Sequence, residues 1–266
     1  MTVNKNKPDS EPNSGPVSAS VDPEEIAHFS AMAATWWDPN GPFKPLHKLN
    51  PTRIGYAKDS LCRHFDRDPH DDLPLKGLRI LDIGCGGGLL SEPMCRLGAT
   101  IVGADASEKN IKTAQAHAND MALDIDYRHL TAEALAEQGE KFDAILNMEV
   151  IEHVADIPSF LNACHSLLKD EGCMVLSTLN RTAKSWAMAI AGAEYIMRWL
   201  PKGTHDWHKF LKPSELVRAL GNCHFETTDL KGMVYHPFSA EWSLDNKDFS
   251  VNYLVLAQKL KEAQKT

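Results

Sequence analysis

The chain has 266 residues, of which 43% are hydrophobic, and a formal net charge of −8; that is apolar material enough for one large domain. The acidic balance argues against nucleic acid as a main partner, because neutralising phosphates takes clustered Lys and Arg. No run of 18 or more uncharged apolar residues is available to span a bilayer, and the six cysteines form no C-x-x-C pair that would mark a zinc or dithiol motif.

Residues 1–20 combine Pro, Ser, Asn and Lys with no aromatic residue, so they bury too little apolar surface to offset the entropy of ordering, and a disordered tail is expected. Their two basic residues, Lys5 and Lys7, stand beside Asp9 and Glu11, which is unlike an Arg-rich transit peptide and favours a bacterial over a mitochondrial origin. From residue 21 to 66 the pattern is helical. Asp22-Pro23-Glu24-Glu25 supplies a capping side chain, a proline for the first turn and acids for the positive helix end. The run from Trp36 to Pro42 is rich in turn residues, and a second helix is expected after Pro51.

Beyond Asp72 short apolar runs take over, at Leu78–Ile83, Thr100–Asp105, Phe142–Asn147 and Met174–Thr178, with helical stretches at Ser107–Met121 and Ile157–Leu168 between them. Strands alternating with helices imply βαβ units and a mostly parallel sheet, and continuous apolar character implies burial on both faces. His224–Leu230 and Ser250–Ala257 read as two further strands joined by a long loop, which makes an antiparallel edge. No internal repeat is present.

The first strand runs into Leu81-Asp82-Ile83-Gly84-Cys85-Gly86-Gly87-Gly88 and a helix follows directly. Glycines are needed where backbone turns sharply and lies close to a ligand. The second strand ends at Asp105, where a carboxylate can accept from both hydroxyls of a ribose. A dinucleotide-binding Rossmann turn is the competing reading of the loop, and with it an NAD-type oxidoreductase; a glycine turn of purely structural use is another. The Asp-x-Gly-x-Gly-x-Gly spacing resembles the first motif of class I methyltransferases. The segment Asn147-Met148-Glu149-Val150-Ile151-Glu152-His153 is similar to the one that follows their fourth strand.

From Val21 to Lys259 the chain resembles the ubiquinone-biosynthesis O-methyltransferase family. The stretches that carry the likeness are Phe43-Lys44-Pro45-Leu46-His47, Asn50-Pro51-Thr52-Arg53, Ser177-Thr178-Leu179-Asn180-Arg181, Gly192-Ala193-Glu194-Tyr195-Ile196, Pro201–Asp206 and Asp248–Tyr253. The resemblance implies a Rossmann-like α/β domain with a seven-stranded sheet, a helical cap at 21–66 and a lid or membrane-facing insert at 183–210. It also implies transfer of a methyl group from S-adenosylmethionine to phenolic oxygens of polyprenyl-tailed catechol and quinol substrates, at both O-methylation steps. Carried over position by position, Arg53, Gly84, Asp105 and Met148 would bind the cofactor. An arginine suits the methionine carboxylate because its planar fork pairs with two oxygens, although sequence alone favours a surface residue there; a core filler is the alternative reading of Met148.

A phenol ordinarily ionises near pH 10, so transfer to its oxygen needs either a general base or a divalent cation that lowers its pKa. If a helical turn starts there, Glu149, Glu152 and His153 fall within one turn and suit magnesium or zinc. His153 as a direct base and a purely structural role are the alternatives, and no catalytic residue is assigned. Residues 185–200 are apolar nearly all round apart from Glu194 and Arg198, with Trp186 and Trp199 near the ends and Lys184 and Lys202 flanking. Such a helix suits the plane of a membrane surface or a lid over the site, and the expectation is a cytoplasmic protein held peripherally at the inner face of the membrane. Contacts with other ubiquinone-biosynthesis proteins, a different lipophilic acceptor (including methylation at carbon) and a non-catalytic cofactor-binding subunit remain open.

Overall fold

The computed structural model describes residues 20–187 and 207–261. The expected tail, but for its last residue, lies outside the described residues, as do most of 185–200 and the loop at 201–206. The described residues begin one residue before the expected boundary. Ser20 is buried and its carbonyl accepts from Ala155 N at 2.9 Å, while Val21 makes an antiparallel bridge to Val154.

α1 (Pro23–Met32) opens as its sequence dictates, with Asp22 Oδ1 accepting from Glu24 N at 3.0 Å and proline in the first turn. α2 (Lys44–His64) starts before Pro51, not after it, and runs through that proline. Pro51 is exposed, so the His47 carbonyl it leaves without an intrahelical partner faces the solvent side, while Asn50 and Arg53 take the buried side.

Eight strands form one sheet in the order β3-β2-β1-β4-β5-β8-β6-β7. The parallel part consists of β1 (Arg79–Ile83), β2 (Thr100–Asp105), β3 (Asp126–His129), β4 (Phe142–Met148) and β5 (Leu168–Leu179). β6 (Phe225–His236), β7 (Glu241–Asp245) and β8 (Asn252–Lys259) complete it antiparallel. The helices α3 (Ser91–Arg96), α4 (Glu108–Asp120), α5 (Ala132–Glu137), α6 (Ile157–Leu167) and α8 (Pro213–Asn222) cover its faces, and α7 (Ala183–Ser185) is one turn. Alternation along β1 shows how the two layers divide. Ile80 faces a core shared with Tyr56, Leu61 and Met94 of α2 and α3, whereas Leu81 faces one shared with Leu135, Phe160 and Leu216 of α5, α6 and α8.

The sheet has one strand more than expected. The loop foreseen between the last two strands is a hairpin, β6 continuing to His236 and turning back as β7, with Tyr235 directly opposite Trp242. β3 carries the sequence DYRH, in which only Tyr127 is buried. An edge strand buries so little that its sequence lacks the apolar signature of its neighbours.

Candidate active site

The C-terminal ends of the parallel strands open into a cavity of about 370 Å³ that reaches from α5 beyond β3 to β7. In an open α/β sheet this edge is where a ligand sits. The glycine turn after β1 shapes its floor. Gly84 N donates to Ala104 O at 2.7 Å, and the residue has φ +67°, the left-handed region that side chains resist. A Cβ there would lie 2.5 Å from Val150. Gly86 also has positive φ, and a Cβ on it would meet the Trp36 ring at 2.4 Å. Trp36 in turn stacks on Phe43, ring centroids 3.7 Å apart, and donates to Asn110 Oδ1 at 3.0 Å. The segment joining α1 to α2 is therefore packed onto the loop, and the loop's glycines are the ones that allow it.

Asp105 ends β2 with its carboxylate already organised. Oδ1 accepts from Ser107 N at 2.7 Å and Asn110 Nδ2 at 3.2 Å, and Oδ2 from Gly86 N at 2.9 Å. Burial raises its pKa against these hydrogen bonds. Three of the four lone-pair sites of the carboxylate are thus used, and the one left on Oδ2 can still accept from a hydroxyl. Asp82, at the other end of the loop, accepts from Ser91 Oγ at 2.5 Å; burial pushes its pKa up to about 6 although Arg53 pulls it down. A cationic group placed beside it would return it to the carboxylate.

Arg53 projects from α2 and is 4% exposed. Nη2 donates to Asn50 Oδ1 at 3.1 Å, and Nε has no partner. Burial lowers its pKa while the charges of Glu149, Asp82 and Glu152 raise it, and a guanidinium remains protonated under such conditions. A buried cation with an unused Nε donor at the wall of a cavity has the chemistry to pair with an anion.

Met148 closes β4, buried and lining the cavity. Glu149 follows with φ +56°, its Oε1 accepting from Ser177 Oγ at 2.8 Å. The next turn is a 3₁₀ turn over Ile151–His153. Glu152 Oε2 accepts from Thr178 Oγ1 at 2.7 Å and its Oε1 is buried without a partner. Burial first, and then the charge of Glu149, hold Glu152 well above the usual carboxylate range. His153 turns away from both. Its Nδ1 lies 3.1 Å from Glu25 Oε2 of α1, close enough for an ion pair but not aligned as a hydrogen bond, and Phe29 meets the ring edge-on at 5.2 Å. Glu25 also pairs with Lys209 at 3.0 Å, and these partners, set against its burial, hold its pKa near 2. Among the described residues no three His, Cys, Asp or Glu side chains converge as metal ligands do. Glu149 and Glu152 fit a hard divalent cation, having an orphaned oxygen and a repulsion to relieve; His153 joins them only by leaving Glu25.

Residues that sequence reasoning passed over complete the cleft. Glu133, at the start of α5, lines the cavity with both carboxylate oxygens buried and unpartnered. Its signal was present in Thr131-Ala132-Glu133, where Thr131 caps α5 just after β3, but β3 itself went unrecognised. Asn252, Tyr235 and Trp242 line the other end.

The general description Methyltransferase domain matches residues 53–230. The ubiquinone biosynthesis O-methyltransferase of Ruegeria pomeroyi is 60% identical over 234 residues, 88% of this chain and 94% of that protein. The protein of the same name from Bartonella bacilliformis is 57% identical over 240 residues, covering 90% and 96%. Among solved structures, magnesium protoporphyrin IX methyltransferase from Synechocystis PCC 6803 with bound SAM aligns with TM-score 0.56 at 20% identity, over 91% of this chain and 100% of that one. The 1,6-didemethyltoxoflavin-N1-methyltransferase of Burkholderia thailandensis, with S-adenosylhomocysteine, gives 0.57 at 16% over 94% of each. These two likenesses concern the fold.

Proposed function

The chain belongs to the ubiquinone biosynthesis O-methyltransferase family, and we propose that it methylates phenolic oxygens of polyprenyl-tailed catechol and quinol intermediates, at both O-methylation steps, with S-adenosylmethionine as donor. The observation that carries the cofactor reading is the buried Arg53 guanidinium with an unpartnered Nε in the cleft. It pairs with the methionine carboxylate, Asp82 with the amino group, Asp105 with a ribose hydroxyl and Glu133 with the adenine amino group, while Met148 packs beside the sulfonium. Gly84 keeps the backbone clear of the ligand.

Transfer is an in-line displacement. The phenolate oxygen forms a bond to the methyl carbon, the carbon–sulfur bond breaks with its electron pair going to sulfur, and S-adenosylhomocysteine leaves. The sulfonium is already activated, so the protein's part is to hold the oxygen about 3 Å from the methyl, in line with the breaking bond, and to favour phenolate over phenol. Glu149 and Glu152, joined by His153 once swung off Glu25, would hold a divalent cation such as magnesium or zinc, which would supply Lewis acidity toward the phenol oxygen. Glu149 and Glu152 would give such an ion its carboxylates, and α1 reaches this end of the cleft through Glu25 and Phe29 against His153.

The polyprenyl tail calls for a lipid surface, and the apolar 185–200 segment suits one; Trp186 at its start is half exposed. No helix of the described residues is long and apolar enough to cross a membrane, so peripheral association at the cytoplasmic face of a bacterial inner membrane is the arrangement proposed, with other proteins of the pathway as candidate neighbours. Labelled S-adenosylmethionine with a short-tailed polyprenyl catechol, with and without EDTA, tests the reading. Transfer that chelation abolishes and magnesium or zinc restores supports function and metal site together. Transfer indifferent to chelation removes the metal, and cofactor binding without transfer removes the acceptor. Liposomes that do not sediment the protein, or charged substitutions at Trp186 and Trp199 without effect, dispose of the membrane surface.

A further inference from the structure

The cavity crosses the sheet from β3 to β7, and the proposed cofactor ligands use only part of it. Asp82 and Asp105 stand at the ends of β1 and β2, and Glu133 at the start of α5 just after β3. What remains lies over the other strands and is lined by Leu179 of β5, Asn252 of β8, Tyr235 of β6 and Trp242 of β7. The β6–β7 hairpin is thus a wall of the half left for the acceptor.

Two observations give that wall a definite chemistry. Tyr235 and Trp242 form a cross-strand pair, so both side chains stand on one face of the hairpin. Their ring centroids are 5.3 Å apart and inclined at 46°, which makes an open aromatic angle and not a closed stack. The hairpin is also fastened to the cofactor side. Trp242 O accepts from Thr52 Oγ1 at 3.2 Å, and Thr52 immediately precedes Arg53 on α2. A flat ring resting there is placed relative to the group that fixes the donor.

We propose that Tyr235 and Trp242 form the seat for the acceptor's aromatic ring and determine specificity for a flat, electron-rich ring over a non-aromatic alcohol. The proposal rests on the O-methyltransferase reading above. Aromatic faces bind aromatic rings by offset and edge contacts beyond plain area burial, whereas a saturated ring loses that component. At the hairpin tip Phe238 is fully exposed.

The test compares the full-length wild type with Trp242→Ala, Trp242→Phe and Tyr235→Leu, using a short-prenyl catechol as acceptor. Trp242→Ala is expected to raise KM for the catechol about tenfold, with kcat changed less than about threefold and the Kd for S-adenosylhomocysteine changed less than about twofold. Trp242→Phe keeps most of the affinity because it keeps a ring. Quenching of tryptophan fluorescence by a soluble catechol, with S-adenosylhomocysteine bound, should diminish in Trp242→Phe. An unchanged KM in both Trp242→Ala and Tyr235→Leu overturns the seat, and so does a loss of S-adenosylhomocysteine affinity equal to the loss for catechol in both Trp242→Phe and Tyr235→Leu, since that would assign the hairpin to the donor. If Trp242→Ala does not fold, Tyr235→Leu carries the KM test alone, and an unchanged KM there overturns the seat. A wild type that binds S-adenosylhomocysteine yet methylates no catechol overturns the functional reading, and this inference with it.

Discussion

At the Asp105 corner of the cleft the charge is already satisfied, whereas at the Arg53–Glu152 end it is not. Asp105 receives three hydrogen bonds from its own chain, one of them from the glycine loop. Arg53 Nε and Glu152 Oε1 are buried with none, and burial together with the charge of Glu149 keeps Glu152 protonated. A satisfied group fixes geometry in advance and loses little by staying empty; an orphaned one costs the free protein stability and gains most when a partner arrives. One end of the cleft is a template and the other an appetite for ligand.

The largest change should come from the template. Gly86→Ala combines a positive φ with a Cβ 2.4 Å from the Trp36 ring. Backbone strain and overpacking of about 2 kcal/mol each should weaken S-adenosylhomocysteine binding about a thousandfold in calorimetry. Binding within tenfold of wild type would show the loop to be looser than its packing implies.

Asp82 sharpens the contrast through pH. Its folded pKa of about 6 lies above the ordinary 3.8, so the native state keeps a proton that the unfolded chain gives up. The resulting stability is complete below pH 3.8 and is lost as pH rises through about 6, with a ceiling of roughly 3 kcal/mol. Urea midpoints measured between pH 4 and 7 should show that decline in the ligand-free wild type and a flatter profile in Asp82→Asn. Saturating S-adenosylhomocysteine, whose amino group relieves the buried carboxylate, should stabilise more as pH rises.

Arg53→Met removes the unsatisfied cation. S-adenosylhomocysteine affinity should fall about thirtyfold, while 5′-methylthioadenosine, which lacks the carboxylate, should bind within about twofold of wild type. Equal losses for both ligands would assign Arg53 to the fold and not to the carboxylate. The smallest effect is expected for Glu152→Gln in the absence of metal. The amide reproduces the proton that Glu152 holds, so thermal stability should change by about 1 kcal/mol or less, while any activation by magnesium or zinc disappears.

The parallel core of the fold was readable because its strands are buried on both faces, so Leu78–Ile83 and Phe142–Asn147 carry continuous apolar runs. Edge strands carry no such mark. β3 and β7 are half solvent-facing, with Tyr127 the one buried residue of the former, and both escaped the pattern. The glycine spacing marked Gly84, and Asp105 followed from its place at the end of β2; Arg53 came only through family likeness, since nothing in a helical Asn-Pro-Thr-Arg announces a buried guanidinium. Nor does sequence say that His153, adjacent to Glu152, turns toward Glu25 more than 120 positions earlier. Long-range pairing of that kind is decided by packing.

The position of β8 bears on how the molecule comes into being. It follows every other described strand in sequence yet lies inside the sheet, pairing with β5 on one side and β6 on the other. Until it is inserted, β5 is an open edge and the β6–β7 hairpin has no sheet to join. Contacts of such long sequence separation slow folding and leave unpaired edges exposed meanwhile. A nascent chain lacking residues beyond 250 would therefore hold the donor-binding half without the aromatic wall, an aggregation-prone half-cleft that a chaperone, more than a substrate, would be the first to meet.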